Sequence, residues 1–163
     1  MTVPKFSFPP GRERPLQIHP RYFPDAAWAT MRTVRFSDCD PAGIVYTPRF
    51  IDMVNGAIED FFLQRLRVDY HALLVKHQIG LGYKSVDTDF FLPALMGDRL
   101  SFTVLVEHIG RTSVIYSLHC VRETTEIMRC RLVQVTTSLN THVPINIPTP
   151  LKDALVAYKE SCK

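Results

Sequence analysis

The chain has 163 residues, 46% hydrophobic, 10% aromatic and 21% charged, the composition of one ordinary globular domain able to bury roughly 70% of its extended-chain surface, and not that of a disordered chain. Its net charge is only +3, with Lys and Arg dispersed, which excludes the concentrated basic stripe of a nucleic-acid binder. No apolar run reaches the ~20 residues of a membrane span.

The start, MTVPKFSFPPGRERPLQIHP, interrupts with prolines and charges the continuous apolar stretch that a secretion signal needs. Cys39, Cys120, Cys130 and Cys162 have neither metal-ligand spacing nor the density of a disulfide scaffold, so free thiols and a cytoplasmic location are expected. Residues 1–26 hold six prolines, each without the amide proton that helix or sheet pairing uses. They read as an extended arm that wraps over the body or over a partner subunit. Residues 27–163 then form the domain.

The run 27–36, AWATMRTVRF, is aromatic and β-branched with partial alternation, which predicts a first strand. A loop follows at SDCDPAGIVYTP, where Asp-Pro and Gly are turn formers. Thr47-Pro48 predicts a helix start with Thr47 as its cap. From there Phe50, Val54, Ala57, Ile58, Phe61, Phe62 and Leu66 recur at spacings of three and four along roughly five turns, a helix with one apolar face. A short helix over 70–77 is expected to end near Gly80, which would take a left-handed conformation.

Strands are then expected at 82–92, 98–109, 112–122 and 127–138, with turns at Gly97-Asp98, Gly110-Arg111 and Thr124-Thr125, giving an antiparallel meander. A proline-rich passage leads to a last short helix from about Pro150. One helix cannot cover both faces of such a sheet, so a second subunit against the open face is expected.

The chemistry concentrates in FSDCDPAGIVYTPRF. Asp38 and Asp40 lie just upstream of a helix N-terminus, whose unpaired amides suit a carbonyl oxygen gaining negative charge. A carboxylate beside it can attack that carbonyl or activate water. The same two residues can equally serve only as turn caps, a common use of Asp before Pro. Local chemistry leaves both readings open.

The run Asp38-Cys39-Asp40-Pro41-Ala42-Gly43-Ile44-Val45-Tyr46, followed by Pro48 and Phe50, resembles the active-site signature of the 4-hydroxybenzoyl-CoA thioesterase family of the Pseudomonas type. The likeness extends more loosely over 31–148 and includes FFLPALMGDRL at 90–100. It implies an α+β hot-dog fold, a long helix wrapped by a curved antiparallel sheet, with active sites at the interface of a homodimer or homotetramer and no metal or redox cofactor. It implies that Asp40 is the nucleophile or general base, that the Thr47 amide polarises the thioester carbonyl, that Gly43 lets the loop approach the acyl group, and that Tyr46 lines the pocket.

In the same likeness Arg111 stands at a basic position that contacts the phosphates of CoA, with Thr112 and Ser113 as polar neighbours. A turn arginine is otherwise simply solvated. Asn55 replaces an acidic residue found near the aryl hydroxyl in a hydroxybenzoyl-specific enzyme, which argues against strict 4-hydroxybenzoyl specificity. Asp38 reads as structural, and Cys39 between two carboxylates is no candidate nucleophile. His71 and His77, six apart, do not share a helix face for a metal.

The expected reaction is hydrolysis of an acyl-CoA to free acid and CoA. The rival readings are hydrolysis of acyl-carrier-protein thioesters and non-catalytic acyl-CoA binding.

Overall fold

The computed structural model describes residues 16–163, so the expectations for residues 1–15 of the arm lie outside the described residues. Five strands, β1 (Trp28–Thr33), β2 (Ile79–Phe90), β3 (Arg99–Ile109), β4 (Ser113–Arg122) and β5 (Thr125–Ser138), make one antiparallel sheet in the order β1-β3-β4-β5-β2. Helix α1 (Thr47–Asp60) continues through a π-helical turn (Phe61–Leu66), and α2 (Tyr70–Val75) and α3 (Thr149–Ser161) complete the chain. The α+β hot-dog arrangement, a long helix against a curved sheet, is the one the sequence led us to expect.

The apolar stripe of α1 is what holds it there. Val54, Ala57, Ile58, Phe61 and Phe62 are at most 1% exposed and meet Leu100, Phe102, Val104, Leu118 and Leu132, all 0% exposed, on the inner face of the sheet. Each of these side chains except Ala57 contributes about 1.5–3 kcal/mol on burial. Phe61 also packs edge-on against Tyr116 and Tyr158. The Tyr158 hydroxyl of α3 donates to Val104 O and accepts from the Trp28 amide, which ties the edge strand β1 to the core. The helix ends where Arg67 adopts φ 59°.

Several expectations need correction. The strands do not form a simple meander: β2 pairs β5, not β3, because pairing depends on contacts distant in sequence that periodicity does not carry. β1 stops at Thr33, since Val34 turns to the loop before β3 instead: its amide donates to Asp98 O and its carbonyl accepts from the Gly97 amide, each at 2.9 Å. α2 ends at Val75, and the left-handed residue after it is Gln78, φ 53°. Gly80 already belongs to β2, where a Cβ would meet Thr137 Oγ1 at 2.6 Å; its role is close packing, not a turn.

The described part of the arm crosses the outer face of the sheet within the same chain. Ile18 N–H donates to Glu126 Oε2 (2.7 Å), Gln17 Nε2 to Glu126 O (2.7 Å), and Arg129 Nη2 to Leu16 O (2.8 Å). The Phe23 ring lies 4.8 Å from that of His119. The face left open by α1 is therefore partly covered by the chain itself. β2 remains a twelve-residue edge strand.

Candidate active site

Asp40 opens a tight hairpin. Its amide donates to Ile44 O and its carbonyl accepts from the Gly43 amide, both 2.9 Å, while Cys39 pairs with Val45. Asp, Pro, Ala and Gly are thus the four residues of a β-turn that favours Asp first, Pro second and Gly last. Gly43 has φ 78° with nothing within 4 Å of an added Cβ, so backbone conformation, not crowding, requires glycine there.

The Asp40 side chain is half-buried. Oδ1 accepts from the Ala42 amide at 2.8 Å, and Oδ2 has no partner among the described residues. The carboxylate lines a cleft of about 590 Å³ with Phe36, Cys39, Gly43 and Met96. Asp38 is used differently: Oδ2 accepts from the Arg35 amide at 2.7 Å and its carbonyl from the Tyr46 amide at 2.9 Å. It shapes the loop, as the sequence suggested.

That last bond changes the expected helix start. Tyr46 is held extended (φ −64°, ψ 128°) and is itself the cap residue; Thr47 is the first helical residue and makes no side-chain cap. The Arg49 and Phe50 amides turn back to Tyr46 O (2.7 and 3.4 Å), and Pro48 has no N–H. The Thr47 amide is the one donor of this first turn without a partner among the described residues. Thr47 lines a neighbouring apolar cleft of about 360 Å³ with Phe50, Phe90, Leu92, Pro93 and Ala94. The segment 92–96 borders both clefts.

Other predicted residues lie farther off. Tyr46 is 53% exposed and lines neither cleft. Asn55, exposed on α1, accepts from the Tyr83 hydroxyl at 2.9 Å; burial, reinforced by Tyr70, holds that phenol well above its ordinary pKa. Arg111 is exposed, and Thr112 and Ser113 beside it are half-buried; the Arg111 and Thr112 carbonyls accept from Ile147 and Thr136. This turn follows the far end of β3 from the Asp40 hairpin. The whole length of β3, ten steps of about 3.3 Å, lies between the loop bonded to the hairpin and this turn, so one chain does not bring Arg111 to Asp40.

The sequence reading missed a second polar constellation. On the outer face, Glu126 is 1% and His119 4% exposed. His119 Nδ1 meets Glu126 Oε1 at 2.6 Å, its Nε2 meets Ser117 Oγ at 3.0 Å, and Arg129 binds both Glu126 oxygens (2.9 and 2.6 Å). Only the strand register brings these residues together, so no local signal announces them. All four cysteines are free, and burial raises the Cys120 and Cys130 thiols. Among the described residues no group of three or more His, Cys, Asp or Glu is placed to hold a metal ion, and no helix is long and apolar enough to cross a membrane.

Residues 34–155, which include the hairpin, both clefts and most of the core, match the family model described as the thioesterase-like superfamily. The chain belongs to that superfamily. It is 31% identical over 81 residues to a 1,4-dihydroxy-2-naphthoyl-CoA hydrolase of Crocosphaera subtropica, covering 50% of this chain and 58% of that relative. It is 22% identical over 121 residues to the acyl-CoA thioesterase YbgC of Haemophilus influenzae, covering 74% and 88%. The crystal structure of a 1,4-dihydroxy-2-naphthoyl-CoA thioesterase from Synechocystis superposes with a TM-score of 0.74 at 22% identity, over 80% of this chain and 96% of that one. This last likeness establishes the fold.

Proposed function

We propose that this thioesterase-like protein hydrolyses acyl-CoA thioesters, aryl-CoA esters among them, to the free acid and CoA. The observation that carries the reading is the Asp40 carboxylate, half-buried at a cleft with one oxygen fixed by the Ala42 amide and the other unpaired. The unpaired Thr47 amide supplies the second element, a donor for the carbonyl oxygen as it becomes an oxyanion. Asp40 either attacks the carbonyl carbon or removes a proton from the water that does. The C–S bond breaks, CoA leaves as the thiol, and one water is consumed. The named substrates of the relatives, a bicyclic aryl-CoA and acyl-CoA, agree with this class.

The distance from Asp40 to Arg111 supports a two-copy site. The free edge of β2 runs from Ile79, beside the Arg111 end of the sheet, to Phe90, beside the Thr47 cleft. A two-fold, antiparallel pairing of two such edges lays the Arg111 turn of one copy toward the Asp40 end of the other, and it satisfies the unpaired strand groups. Arg111, Thr112 and Ser113 would then hold CoA phosphates. Asn55, with its oxygen taken by Tyr83, presents an amide to the acyl group where the 4-hydroxybenzoyl enzyme has an acid. An aryl range broader than 4-hydroxybenzoyl follows. The free thiols support a cytoplasmic location, and the proposed reaction calls for no cofactor beyond the CoA of the substrate itself.

The test is thiol release from a panel of 4-hydroxybenzoyl-, 1,4-dihydroxy-2-naphthoyl-, short-chain and long-chain acyl-CoA, with the matching acyl-carrier-protein esters alongside. Turnover is expected on CoA esters, with aryl members among the substrates. Binding without thiol release would instead identify a non-catalytic acyl-CoA-binding protein, and faster turnover of carrier-protein esters a carrier-protein thioesterase.

A further inference from the structure

The loop between β2 and β3 touches everything the proposed reaction needs without belonging to it. Leu92, Pro93 and Ala94 wall the Thr47 cleft, and Met96 walls the Asp40 cleft. Ala94 O accepts the Val45 amide at 2.9 Å and Leu95 pairs with Ile44, so the loop is bonded to the hairpin just after Asp40. Gly97 and Asp98 exchange bonds with Val34, each 2.9 Å, so it is also bonded to the segment leading into Asp38. The loop is thus tied to the chain on both sides of Asp40, including Val45, two residues before Thr47.

One ion pair fixes its shape. Asp98 Oδ2 accepts from the Leu95 amide at 2.9 Å and from Arg122 Nη1 of β4 at 2.6 Å. The same guanidinium nitrogen reaches Pro93 O at 3.4 Å. Arg122 thus grips both ends of residues 93–98 from a rigid strand, while Gly97 supplies the left-handed corner, φ 91°. Neither Asp98 nor Arg122 lines the Asp40 or Thr47 cleft; both face a separate recess with Met31 and Glu123. The pair is partly buried, with Arg122 32% and Asp98 20% exposed, and solvent reaching it through that recess keeps its contribution to folding small.

We infer that Asp98 and Arg122 are positioning residues for thioester hydrolysis, setting the relation between the Asp40 carboxylate and the Thr47 amide through the loop they clamp. The inference rests on the proposed function of that site. Catalytic groups must be held within about 0.5 Å of their productive geometry, and a misplacement of 1 Å can cost 10²-fold in rate. A pair that adds little stability but tethers this wall therefore acts mainly on kcat.

The experiment measures kcat, KM and Tm for Asp98→Asn, Arg122→Met, their double variant and Arg122→Lys, on the best acyl-CoA of the panel. Each single neutralisation is expected to lower kcat roughly 10- to 100-fold, with KM changed less than about threefold and Tm shifted by no more than about 4 °C, the effect of about 1 kcal/mol. The double variant should cost no more than the worse single, because the two act as one unit. Arg122→Lys, which keeps the charge and one donor, should recover most of the rate.

Unchanged kcat in the singles, additive losses in the double, or no recovery with lysine would each overturn the inference. Arg122→Lys is the mildest change and carries the test if the others fold poorly: its kcat should then lie about two- to threefold below that of the wild type with KM held, and an unchanged kcat would overturn the inference. Asp40→Asn in the same assay separates the two claims. If it is inactive while Asp98→Asn is fully active, only the positioning role fails; if it is as active as the wild type, the site itself is misassigned.

Discussion

Two carboxylates in this molecule, Asp40 and Glu126, are built in opposite ways. Glu126 is 1% exposed and saturated: His119 and Arg129 share Oε1, Arg129 and the Ile18 amide share Oε2. Burial alone would raise this carboxyl, but His119, Arg129 and the Ile18 amide outweigh it and pull it down to about 2. Asp40 is half-buried, bonded through one oxygen, and keeps the other for solvent or substrate. Charge that is fully spent on neighbours holds a structure together; charge with an unspent lone pair at a cleft can do chemistry.

The contrast also guards against reading geometry alone. Ser117, His119 and Glu126 form a nucleophile, base and orienting acid at hydrogen-bond distances, the chain of contacts that defines a serine hydrolase triad. Yet Ser117 is 7% exposed, Phe23 packs on His119, and Arg129 already neutralises Glu126. We read this cluster as the fastening of the arm to the sheet. Accessibility and an unpaired oxygen, not the identity of the residues, favour Asp40.

Removing each carboxylate should break different things. Glu126→Ala leaves the buried His119 and the half-buried Arg129 without their acceptor and should cost about 3–5 kcal/mol, lowering Tm by roughly 6–20 °C in calorimetry. Thiol release per folded molecule should stay unchanged below that transition.

The pH dependence sharpens the same point. Because the Glu126 pKa is depressed on folding, its contribution is present above the unfolded value of about 4.5 and is lost as pH falls through the folded value of about 2. Wild-type stability should therefore drop across that window in acid titrations followed by circular dichroism, and Glu126→Gln should show a shallower drop. A smaller effect is expected at Arg111. Its alanine variant should raise KM for CoA esters about fivefold, near 1 kcal/mol, with kcat held. A pantetheine thioester without the phosphates should show no change.

The difference between the two sites also explains what the sequence could reveal. The stripe from Phe50 to Leu66 and the Asp40-Pro41-Ala42-Gly43 turn follow from period and turn chemistry within a few residues of each other. Glu126 is fastened to Ile18 across 108 positions and Arg122 to Asp98 across 24. Arg122 and Asp98 meet at the end of the β3–β4 hairpin, a pairing the alternation does suggest but whose register it does not carry, and the Ile18 contact depends on the path of the arm. The Thr47 cap failed for a related reason: the Asp38 carbonyl holds Tyr46 extended and so moves the cap one residue earlier. Gly80 shows the converse, a residue whose neighbour Thr137, and not its local context, decides its use.

The most direct measurement is thiol release from the best acyl-CoA ester by Asp40→Asn, a change that keeps the size and the Ala42 hydrogen bond while removing the charge. A fall in kcat of at least about 10²-fold, with Tm within a few degrees of the wild type, is the predicted result. Full turnover by the correctly folded variant would contradict the assignment of Asp40.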